Sequence, residues 1–494
     1  MAFALSKSKY CSAVQCPKML WMKKNMPEEF DDSVMNQSVL DTGNEVGDLA
    51  MGLFGDFVEV PFDLGIPGML HRTKELIEAG TPIIAEASFS CDGLFCSVDI
   101  LKNLGNRTVE IYEVKSSTEI HDIYLSDVAY QYYVLAALGY HVQKVCLVYI
   151  NSKYVRMGDL ELDKLFAIED VTAIALSKRA EVENKIIELR EYMKQSDEPS
   201  DEIGMHCFEP YECGFFKHCT RKLPKPNVFD VHGLQKKKMF ECYDDGIVSF
   251  ENLSNCDRLS AKQHMQVEYQ LSHYPPHIEK GAIRAFLDTL SYPMYFLDFE
   301  TFQPAVPLYD NSRPYQQITF QYSLHYIEEE GGELKHREYL AYPGEDPRRK
   351  LAEQLCGDIP KDTCVMAYNM GFEMGRIKEM SAIYPDLAEH LLNIRENIVD
   401  LMVPFRDKAY YCEAMQGSYS IKYVLPALFP DDPTLDYHNL EEVHHGGEAS
   451  NLFRRMANMD AQTLERSRKN LLKYCWLDTY AMVKVWEKLC DVAG

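Results

Sequence analysis

The sequence is short of positive charge: 51 Lys and Arg stand against 76 Asp and Glu, which gives a formal net charge of −25 over 494 residues. This balance argues against a protein that holds nucleic acid through overall basicity. It does not exclude a metal-dependent nuclease, because such an enzyme concentrates carboxylates at its site and needs only a local basic groove for phosphates.

A leader segment and a long apolar run are also missing. The N-terminus does not show the charged, apolar and small-residue pattern of a signal peptide, and no uninterrupted apolar stretch is long enough to span a bilayer. These absences predict a cytoplasmic protein with no membrane partner. Because the cytoplasm is reducing, the 15 Cys are expected to be thiols or metal ligands rather than disulfides.

The composition that is present, 46% hydrophobic and 26% charged, is typical of a globular protein, and the length predicts two or three domains. Period-two and helical patterns alternate in both halves, which predicts the α/β class. The predicted strands are 85–90, 94–101, 108–117, 141–150, 294–302, 317–326, 335–340 and 364–369. The predicted helices are 127–139, 347–355, 370–384 and 470–486.

Two carboxylates lie within the apolar run Met294-Tyr-Phe-Leu-Asp-Phe-Glu-Thr-Phe302. Side chains two apart on a strand share a face, so Asp298 and Glu300 are expected to point the same way. Two buried acids repel each other unless a cation lies between them, and that cation is usually a divalent metal. Taken alone, the run also fits a strand that ends in a polar turn.

An earlier acidic set follows the same logic. Asp99 lies near the end of one predicted strand, and Glu113 and Lys115 share a face of the next. Together they supply two metal-binding oxygens and an ammonium that can position a water or stabilise a phosphate in the transition state. By itself, Glu-x-Lys is more typical of a surface ion pair.

Evenly spaced cysteines occur in a loop that also contains Gly, Pro and aromatic residues: Cys207, Cys213 and Cys219. The pattern is typical of thiolate ligands to a metal or an iron–sulfur cluster. Cys16, which precedes a proline, is the candidate fourth ligand, and His206 and His218 are candidates if the metal is zinc. The alternative is three unrelated thiols.

Several motifs of residues 1–225 occur in a characteristic order: Cys16-Pro-x-x-Leu-Trp, Thr42-Gly-Asn-Glu45-Val-Gly47, Asp99, Glu113-Val-Lys115, Tyr130-Gln131 and the late cysteines. This order resembles the RecB-type PD-(D/E)XK nucleases, and within them the group with an iron–sulfur cluster found in CRISPR adaptation and recombination enzymes. The resemblance implies catalytic Asp99, Glu113 and Lys115, an accessory metal ligand at Glu45, nucleic-acid contacts at Tyr130 and Gln131, and cluster ligands Cys16, Cys207, Cys213 and Cys219. Many relatives carry His in place of Glu45 and space the cysteines as Cys-x2-Cys, so a 4Fe–4S cluster is expected and zinc is the alternative.

The C-terminal part carries two further acids in defined positions. Tyr474 and Asp478 lie one turn apart on one face of the last predicted helix, where a carboxylate can hold a metal while the phenol orients a water. Glu373 enters a predicted helix directly after a buried strand, at the sheet edge where such folds place their chemistry. Alone, Tyr-x3-Asp is typical of a surface pair.

Asp298-x-Glu300, Asn369-x3-Glu373 and Tyr474-x3-Asp478, in this order, resemble the tyrosine variant of the DEDD exonucleases of the ribonuclease H-like fold. The resemblance implies 3′-to-5′ removal of nucleotides. It implies two Mg²⁺ or Mn²⁺ ions on Asp298, Glu300, Glu373 and Asp478, a water placed by Tyr474, and a nucleic-acid contact at Asn369. The family usually has Asp where Glu373 stands, and the added methylene moves the carboxylate by about one bond length.

The two halves together resemble a bacterial family that fuses a RecB-like nuclease to a DnaQ-like exonuclease. The expected organisation is a PD-(D/E)XK domain with a restriction-endonuclease-like core at 1–225, a helical connector at 226–290, and a ribonuclease H-like domain with a mixed sheet at 291–494. The expected function is a nuclease with two phosphodiesterase centres whose partner is nucleic acid, DNA being favoured over RNA. The alternative is a nucleic-acid-binding or complex-assembly subunit with vestigial sites. A third interpretation keeps only the exonuclease active and uses the first domain as a clamp on DNA.

Overall fold

The fold is mixed α/β, with 50% helix and 18% strand, and its larger sheets contain both parallel and antiparallel pairs. The computed structural model describes residues 4–34, 37–200 and 202–494. The predicted α/β class is therefore confirmed.

The chain divides into two compact units. Unit 1 contains the described residues up to Lys222 together with Pro304–Gln316, and unit 2 contains Leu223–Gln303 and Gln317–Gly494. The first boundary lies close to the predicted one at residue 225, but the predicted connector at 226–290 is part of unit 2. Residues 304–316, predicted to lie in the C-terminal domain, belong to unit 1, because Ala305 and Val306 are buried in its apolar core.

Unit 1 is built on one large sheet. Its strands are β1 (Leu5–Ser6), β2 (Val58–Glu59), β3 (Ile83–Cys91), β4 (Leu94–Gly105), β5 (Thr108–Lys115), β6 (His141–Ile150) and β7 (Phe166–Asp170). Its helices are α1 (Lys7–Gln15), α2 (Pro17–Asn25), α3 (Gln37–Met51), α4 (Gly65–Glu78), α5 (Asp122–Ala137), α6 (Leu162–Leu165), α7 (Thr172–Ser177), α8 (Arg179–Tyr192) and α9 (Phe216–Cys219).

The order of strands in this sheet is β2-β3-β4-β5-β6-β7, and β1 pairs with β4. The β3–β4 hairpin turns at Asp92 and Gly93, whose φ angles of 48° and 80° are those of a two-residue primed turn. The β5 strand then pairs in parallel with β6, and α5 makes the crossover. This arrangement brings the end of β5 and the first half of α5 to the same region of unit 1.

Unit 2 combines short helices with a second sheet. Its strands are β8 (His277–Ile278), β9 (Met294–Phe302), β10 (Ile318–Ile327), β11 (Lys335–Leu340), β12 (Cys364–Ala367), β13 (Ile398–Asp400) and β14 (Tyr410–Tyr411). Its helices are α10 (Lys236–Asp244), α11 (Phe250–Leu253), α12 (Ala261–Ser272), α13 (Lys280–Leu287), α14 (Arg348–Asp358), α15 (Gly371–Ile383), α16 (Ala388–Glu396), α17 (Val403–Arg406), α18 (Ile421–Leu428), α19 (Gly446–Arg455) and α20 (Ala461–Ala493).

The main sheet of unit 2 has the strand order β11-β10-β9-β12-β13. The central strand, β9, pairs antiparallel with β10 and parallel with β12, which explains why its sequence is a nearly continuous apolar run. The long helix α20 begins at the N-cap Asp460 and packs on β9 and β10. Gln321 of β10 donates a hydrogen bond of 2.8 Å to the Leu471 carbonyl, and this bond fixes α20 over the polar face of β9.

Candidate functional site

Three carboxylates meet in unit 2. Asp298 and Glu300 share one face of β9, and α20 places Asp478 against them, so that one oxygen from each lies within 4.8 Å of the others. In the part of the chain that the structure describes, no other group of three or more His, Cys, Asp or Glu has its ligand atoms this close. The register also places Ser323 opposite Asp298, and Ser323 contacts Thr479, the neighbour of Asp478, at 2.7 Å. The acidic trio (Asp298, Glu300, Asp478) is thus held by sheet pairing and by helix packing.

The acidic trio carries more negative charge than its surroundings compensate. Burial, together with Asp478, raises the pKa values of Asp298 and Glu300 well above the ordinary range. Burial also raises the pKa of Asp478 to about 7, although a hydrogen bond from Tyr437 and the charge of Lys422 oppose the shift. A divalent cation held by the trio would remove this repulsion.

Two carboxylate oxygens support a metal at this place. Asp478 Oδ2 and Glu373 Oε2 are buried and have no hydrogen-bond partner. An unpaired buried carboxylate oxygen is costly, and coordination to a cation is the ordinary way to satisfy it. The residues present therefore fit the Mg²⁺ or Mn²⁺ that the sequence predicts.

Glu373 lies near the acidic trio but outside it. It sits in the first turn of α15, is 3% exposed, and contributes to the raised pKa values of Asp298 and Glu300. Its own pKa is raised to about 8, by burial and by Asp400. Its carboxylate is not within 4.8 Å of the three others. The predicted fourth ligand is therefore a neighbour of the trio at a longer distance.

Asn369 marks the corner between β12 and α15. Its φ angle of 70° lies in the left-handed region, and its backbone N–H donates to Asp400 Oδ1 at 2.9 Å. Asp400 thereby holds the corner that leads to Glu373. The contact of Asn369 with nucleic acid stays a prediction.

Two phenols stand beside Asp478. Tyr474, predicted from the Tyr-x3-Asp spacing, is 4% exposed and lies one turn before Asp478. Tyr437 donates a hydrogen bond of 2.8 Å to Asp478 Oδ1, and its ring centre is 6.1 Å from that of Tyr474. Burial holds the pKa values of both phenols well above their usual range, so both act as donors. The sequence did not reveal Tyr437, because a single Tyr in a loop carries no pattern.

The predicted acids of unit 1 also come together. Lys115 Nζ lies 2.7 Å from Glu113 Oε1 and 2.6 Å from Asp127 Oδ2. Gln131, one turn after Asp127 on α5, donates to Glu113 Oε2 at 2.6 Å. Asp99 Oδ2 accepts a hydrogen bond of 2.7 Å from the backbone of β5. Asp127 was missed by sequence reasoning, although its place four residues before Gln131 on the same helix face was a usable signal.

A second ammonium lies among these carboxylates. Lys7, in the first turn of α1, has its Nζ 2.7 Å from Glu113 Oε1, 3.7 Å from Asp99 Oδ1 and 3.9 Å from Asp127 Oδ1. Burial opposes its charge, but Asp127 and Glu113 hold the pKa of Lys7 well above its ordinary value. Lys7 thus occupies the position between Asp99 and Glu113 where a divalent ion is expected. The acids of unit 1 fit such an ion only when Lys7 moves away.

Two more residues predicted for this site lie elsewhere in unit 1. Tyr130 is fully buried, stacks on Tyr10 with ring centres 4.7 Å apart, and donates to the Leu5 carbonyl at 2.5 Å. Its side chain has no exposed surface for the predicted nucleic-acid contact, and Gln131 is the member of the pair that faces the acids. Glu45 is half-buried on α3 and is not in a group that could hold a metal ion among the described residues.

All four predicted cysteine ligands line one cavity of about 390 Å³ in unit 1: Cys16, Cys207, Cys213 and Cys219. A zinc ion in tetrahedral geometry requires neighbouring sulfurs about 3.8 Å apart. No three of these sulfurs lie within 4.8 Å of one another. His218, a candidate zinc ligand, is held instead by Glu29 at 2.9 Å and Glu198 at 3.0 Å. We call this space the cysteine cavity.

Helices that could cross a membrane were sought among the described residues, and none is long and apolar enough.

A family model described as "Domain of unknown function (DUF2779)" matches residues 295–420. The match includes Asp298, Glu300 and Glu373 and ends before Asp478. The chain is 28% identical over 206 residues to the "Uncharacterized protein MG366 homolog" of Mycoplasma pneumoniae, covering 38% of this chain and 31% of that protein. It is 29% identical over 179 residues to the "Uncharacterized protein UU173" of Ureaplasma parvum serovar 3, covering 34% of this chain and 25% of that protein. The chain therefore spans less than a third of the length of these curated relatives. No solved structure matches it.

Proposed function

We propose that the protein is a nuclease that depends on divalent metal ions and removes nucleotides in the 3′-to-5′ direction at the acidic trio of unit 2. The observation that carries the proposal is the meeting of Asp298, Glu300 and Asp478 within 4.8 Å. The orphan oxygen of Asp478 and the order of the three motifs support it further.

The trio would hold Mg²⁺ or Mn²⁺, which stabilises the charge that develops on a phosphoryl group under attack. Tyr474 and Tyr437 keep their protons at neutral pH and donate from one side of Asp478. Tyr437 fixes the orientation of the Asp478 carboxylate through its hydrogen bond. Tyr474, one turn before Asp478 on α20, is the phenol to which we assign the orientation of the attacking water.

For unit 1 we propose a second phosphodiesterase centre of the PD-(D/E)XK type. Glu113, Lys115, Asp127 and Gln131 form one hydrogen-bonded set next to Asp99, which supports this role. The position of Lys7 favours a second candidate for unit 1, a nucleic-acid clamp without hydrolysis. In that case the exonuclease of unit 2 is the sole activity.

End-labelled single- and double-stranded DNA and RNA, incubated with the protein and Mn²⁺, test both centres. Asp298→Ala is expected to abolish the ladder of products shortened from the 3′ end. Asp99→Ala is expected to abolish the separate hydrolysis that we propose for unit 1. Asp491→Ala, a change of the same kind at an exposed position of α20, serves as the control. If the wild-type protein supplied with metal degrades no substrate, the nuclease proposal is wrong.

We also propose that the cysteine cavity holds an iron–sulfur cluster of the 4Fe–4S type, which ties α1 and α2 to the loop from Cys207 to Cys219. The spread of the four thiols around about 390 Å³ supports a cluster over zinc. Protein isolated without oxygen should be brown, and Cys213→Ser should remove the visible absorption while Cys91→Ser, outside the cavity, keeps it. A colourless preparation that contains zinc would contradict the cluster.

A further inference from the structure

Tyr211 lies in the loop of the cysteine cavity, between Cys207 and Cys213, and its side chain is 57% exposed. The loop is anchored to α1 by Gln15, whose Nε2 donates to the carbonyls of His206 at 2.8 Å and Tyr211 at 2.7 Å. Tyr211 is therefore an exposed aromatic residue on a backbone that is held in place. A tyrosine on a fixed backbone loses less conformational freedom on binding than a tyrosine on a flexible loop. Tyr211 therefore suits a binding surface.

The side chain of Tyr211 has Tyr124 and Lys115 among its neighbours. Burial raises the pKa of the Tyr211 hydroxyl to about 12, and Tyr124, in the first turn of α5, adds to the shift as its polar neighbour. Lys115 Nζ lies 5.2 Å from the ring centre of Tyr124, and His121 meets that ring edge-on at 5.2 Å. Since Lys115 contacts Glu113 directly, these three rings border the acidic set. We call Tyr211, Tyr124 and His121 the aromatic rim.

Aromatic faces beside a lysine suit one class of ligand. The bases of a single strand stack on aromatic side chains, whereas bases in a duplex already stack on one another and hide their faces. The backbone phosphates of the same strand are attracted to the ammonium groups. A strand whose base rests on the aromatic rim would bring its phosphate to Lys115.

We propose that the aromatic rim binds an unpaired base of single-stranded nucleic acid, and that the cysteine cavity holds Tyr211 in position for this contact. The inference deepens the function proposed for unit 1 and rests on it for the role of the neighbouring acids. In this proposal Tyr211 and Tyr124 contact the base directly and place the strand beside the acids of unit 1. It also gives the cysteine loop a task in substrate selection besides stabilising the fold.

Binding of a fluorescent oligodeoxythymidylate of about 20 nucleotides, long enough for the known site sizes, can be measured by anisotropy in EDTA. Tyr211→Ala is expected to weaken binding by about 10-fold, because a stacking contact is lost. Tyr211→Phe, which keeps the ring, should stay within about twofold, as should the control Tyr342→Ala at an exposed tyrosine of unit 2. The same oligonucleotide annealed to its complement should bind equally to all four proteins.

Visible absorption and thermal unfolding of each variant show whether the cysteine loop is intact. If Tyr211→Ala disturbs either property, Tyr124→Ala decides, since Tyr124 lies on α5 outside the cysteine loop. Wild-type binding that neither alanine variant weakens overturns the inference, and so does a wild-type protein that binds no single strand.

Hydrolysis measured in parallel with Mn²⁺ separates the two proposals. Binding that depends on Tyr211 without any hydrolysis would overturn the proposed nuclease and leave the rim in place. In the Asp298→Ala background, where only unit 1 can hydrolyse the strand, hydrolysis that is indifferent to Tyr211 would overturn the rim alone.

Discussion

The acidic sites of the two units differ in where their counter-charge comes from. In unit 1, Lys7 and Lys115 each approach Glu113 to 2.7 Å. In unit 2, no Lys or Arg within the described residues forms an ion pair with Asp298, Glu300 or Asp478 within 4.0 Å, although Lys422 acts on two of them from a distance. One site contains its own cations, and among the residues that the structure describes the other has none in direct contact with its carboxylates.

The pKa values follow the same division. Lys115 and Lys7 outweigh burial and hold the pKa of Asp127 well below its usual range. The carboxylates of the trio have their pKa values raised instead, because burial is not matched by a neighbouring ammonium. Glu113 lies between the two cases, since burial and Asp127 raise its pKa to about 7 despite both lysines. Similar sets of carboxylates thus differ in their pKa values because of the cations around them.

The largest effect is expected from Asp478→Asn, which removes one anionic oxygen from the trio. Mn²⁺ affinity, measured by calorimetric titration, should fall by at least about 100-fold. The loss of a residue that only hydrogen-bonds a metal ligand already lowers affinity by up to about 100-fold, and Asp478 is expected to bind the metal directly. Asp491→Asn is the matched control on the same helix. Unchanged affinity in Asp478→Asn would show that the metal binds elsewhere.

Removing the Lys7 ammonium should make the acidic site of unit 1 resemble the acidic trio of unit 2. Lys7→Met leaves Glu113 with one ammonium fewer, so the free energy of unfolding in EDTA should fall by about 2 to 3 kcal/mol. Mn²⁺ should restore part of the loss, because it can replace the missing charge. Urea unfolding with and without Mn²⁺ measures the loss of unfolding free energy and its recovery. The control is Lys9→Met, at an exposed position two residues away. If Lys7→Met and Lys9→Met have the same free energy of unfolding, Lys7 does not compensate the charge of Glu113.

Asp127 of unit 1 should respond to pH in the opposite direction to Asp478 and Glu373 of unit 2. The pKa of Asp478 is raised to about 7 and that of Glu373 to about 8, so their stabilising contribution is complete below about pH 4 and is lost as pH rises through 7 to 8. The depressed pKa of Asp127 has the reverse effect, since its contribution is present above about pH 4 and is lost on acidification.

Unfolding in EDTA across this pH range should therefore show a decline toward pH 8 that Asp478→Asn makes shallower. Mn²⁺ affinity should rise over the same interval, because the ligands must lose their protons. A metal affinity that does not vary between pH 6 and pH 8 would contradict the raised pKa values.

The smallest effect is expected from Tyr437→Phe. It removes the hydrogen bond of 2.8 Å that orients Asp478 but leaves the three carboxylates in place. Metal affinity should fall by about 10-fold, as for other partners of a metal ligand. Tyr342→Phe, an exposed tyrosine of unit 2, should change nothing. If Tyr437→Phe equals the wild type, the hydrogen bond from Tyr437 does not determine the orientation of Asp478.

Much of the local structure was predictable because it depends on local patterns. The two strands around Asp92 and Gly93 were predicted from alternation and from a turn dipeptide, and the structure has them as β3 and β4. The side chains of Asp298 and Glu300 share a face because strand geometry has a period of two. The helix of Tyr474 and Asp478 was predicted within α20, although its start at Ala461 and its length were not.

Contacts made between distant segments were harder to predict. Lys7 lies 106 residues from Glu113, and Tyr437 lies 41 residues from Asp478. Neither residue belongs to a motif, so their roles follow from the packing of α1 and of the loop that contains Tyr437. Tyr130 and Gln131 are adjacent in sequence, yet the helix turns one into the core and the other toward the acids.

The sequence by itself determined the α/β class, the strands and helices that carry the acids, and the sharing of a face by Asp298 and Glu300, because each depends on residues a few positions apart. Only the tertiary structure decided that Asp478 completes the trio, that Glu373 stays outside it, and that Lys7 lies among the acids of unit 1. It also decided that residues 304–316 belong to unit 1. These outcomes depend on which apolar faces bury one another, and that choice is made by the folded chain as a whole.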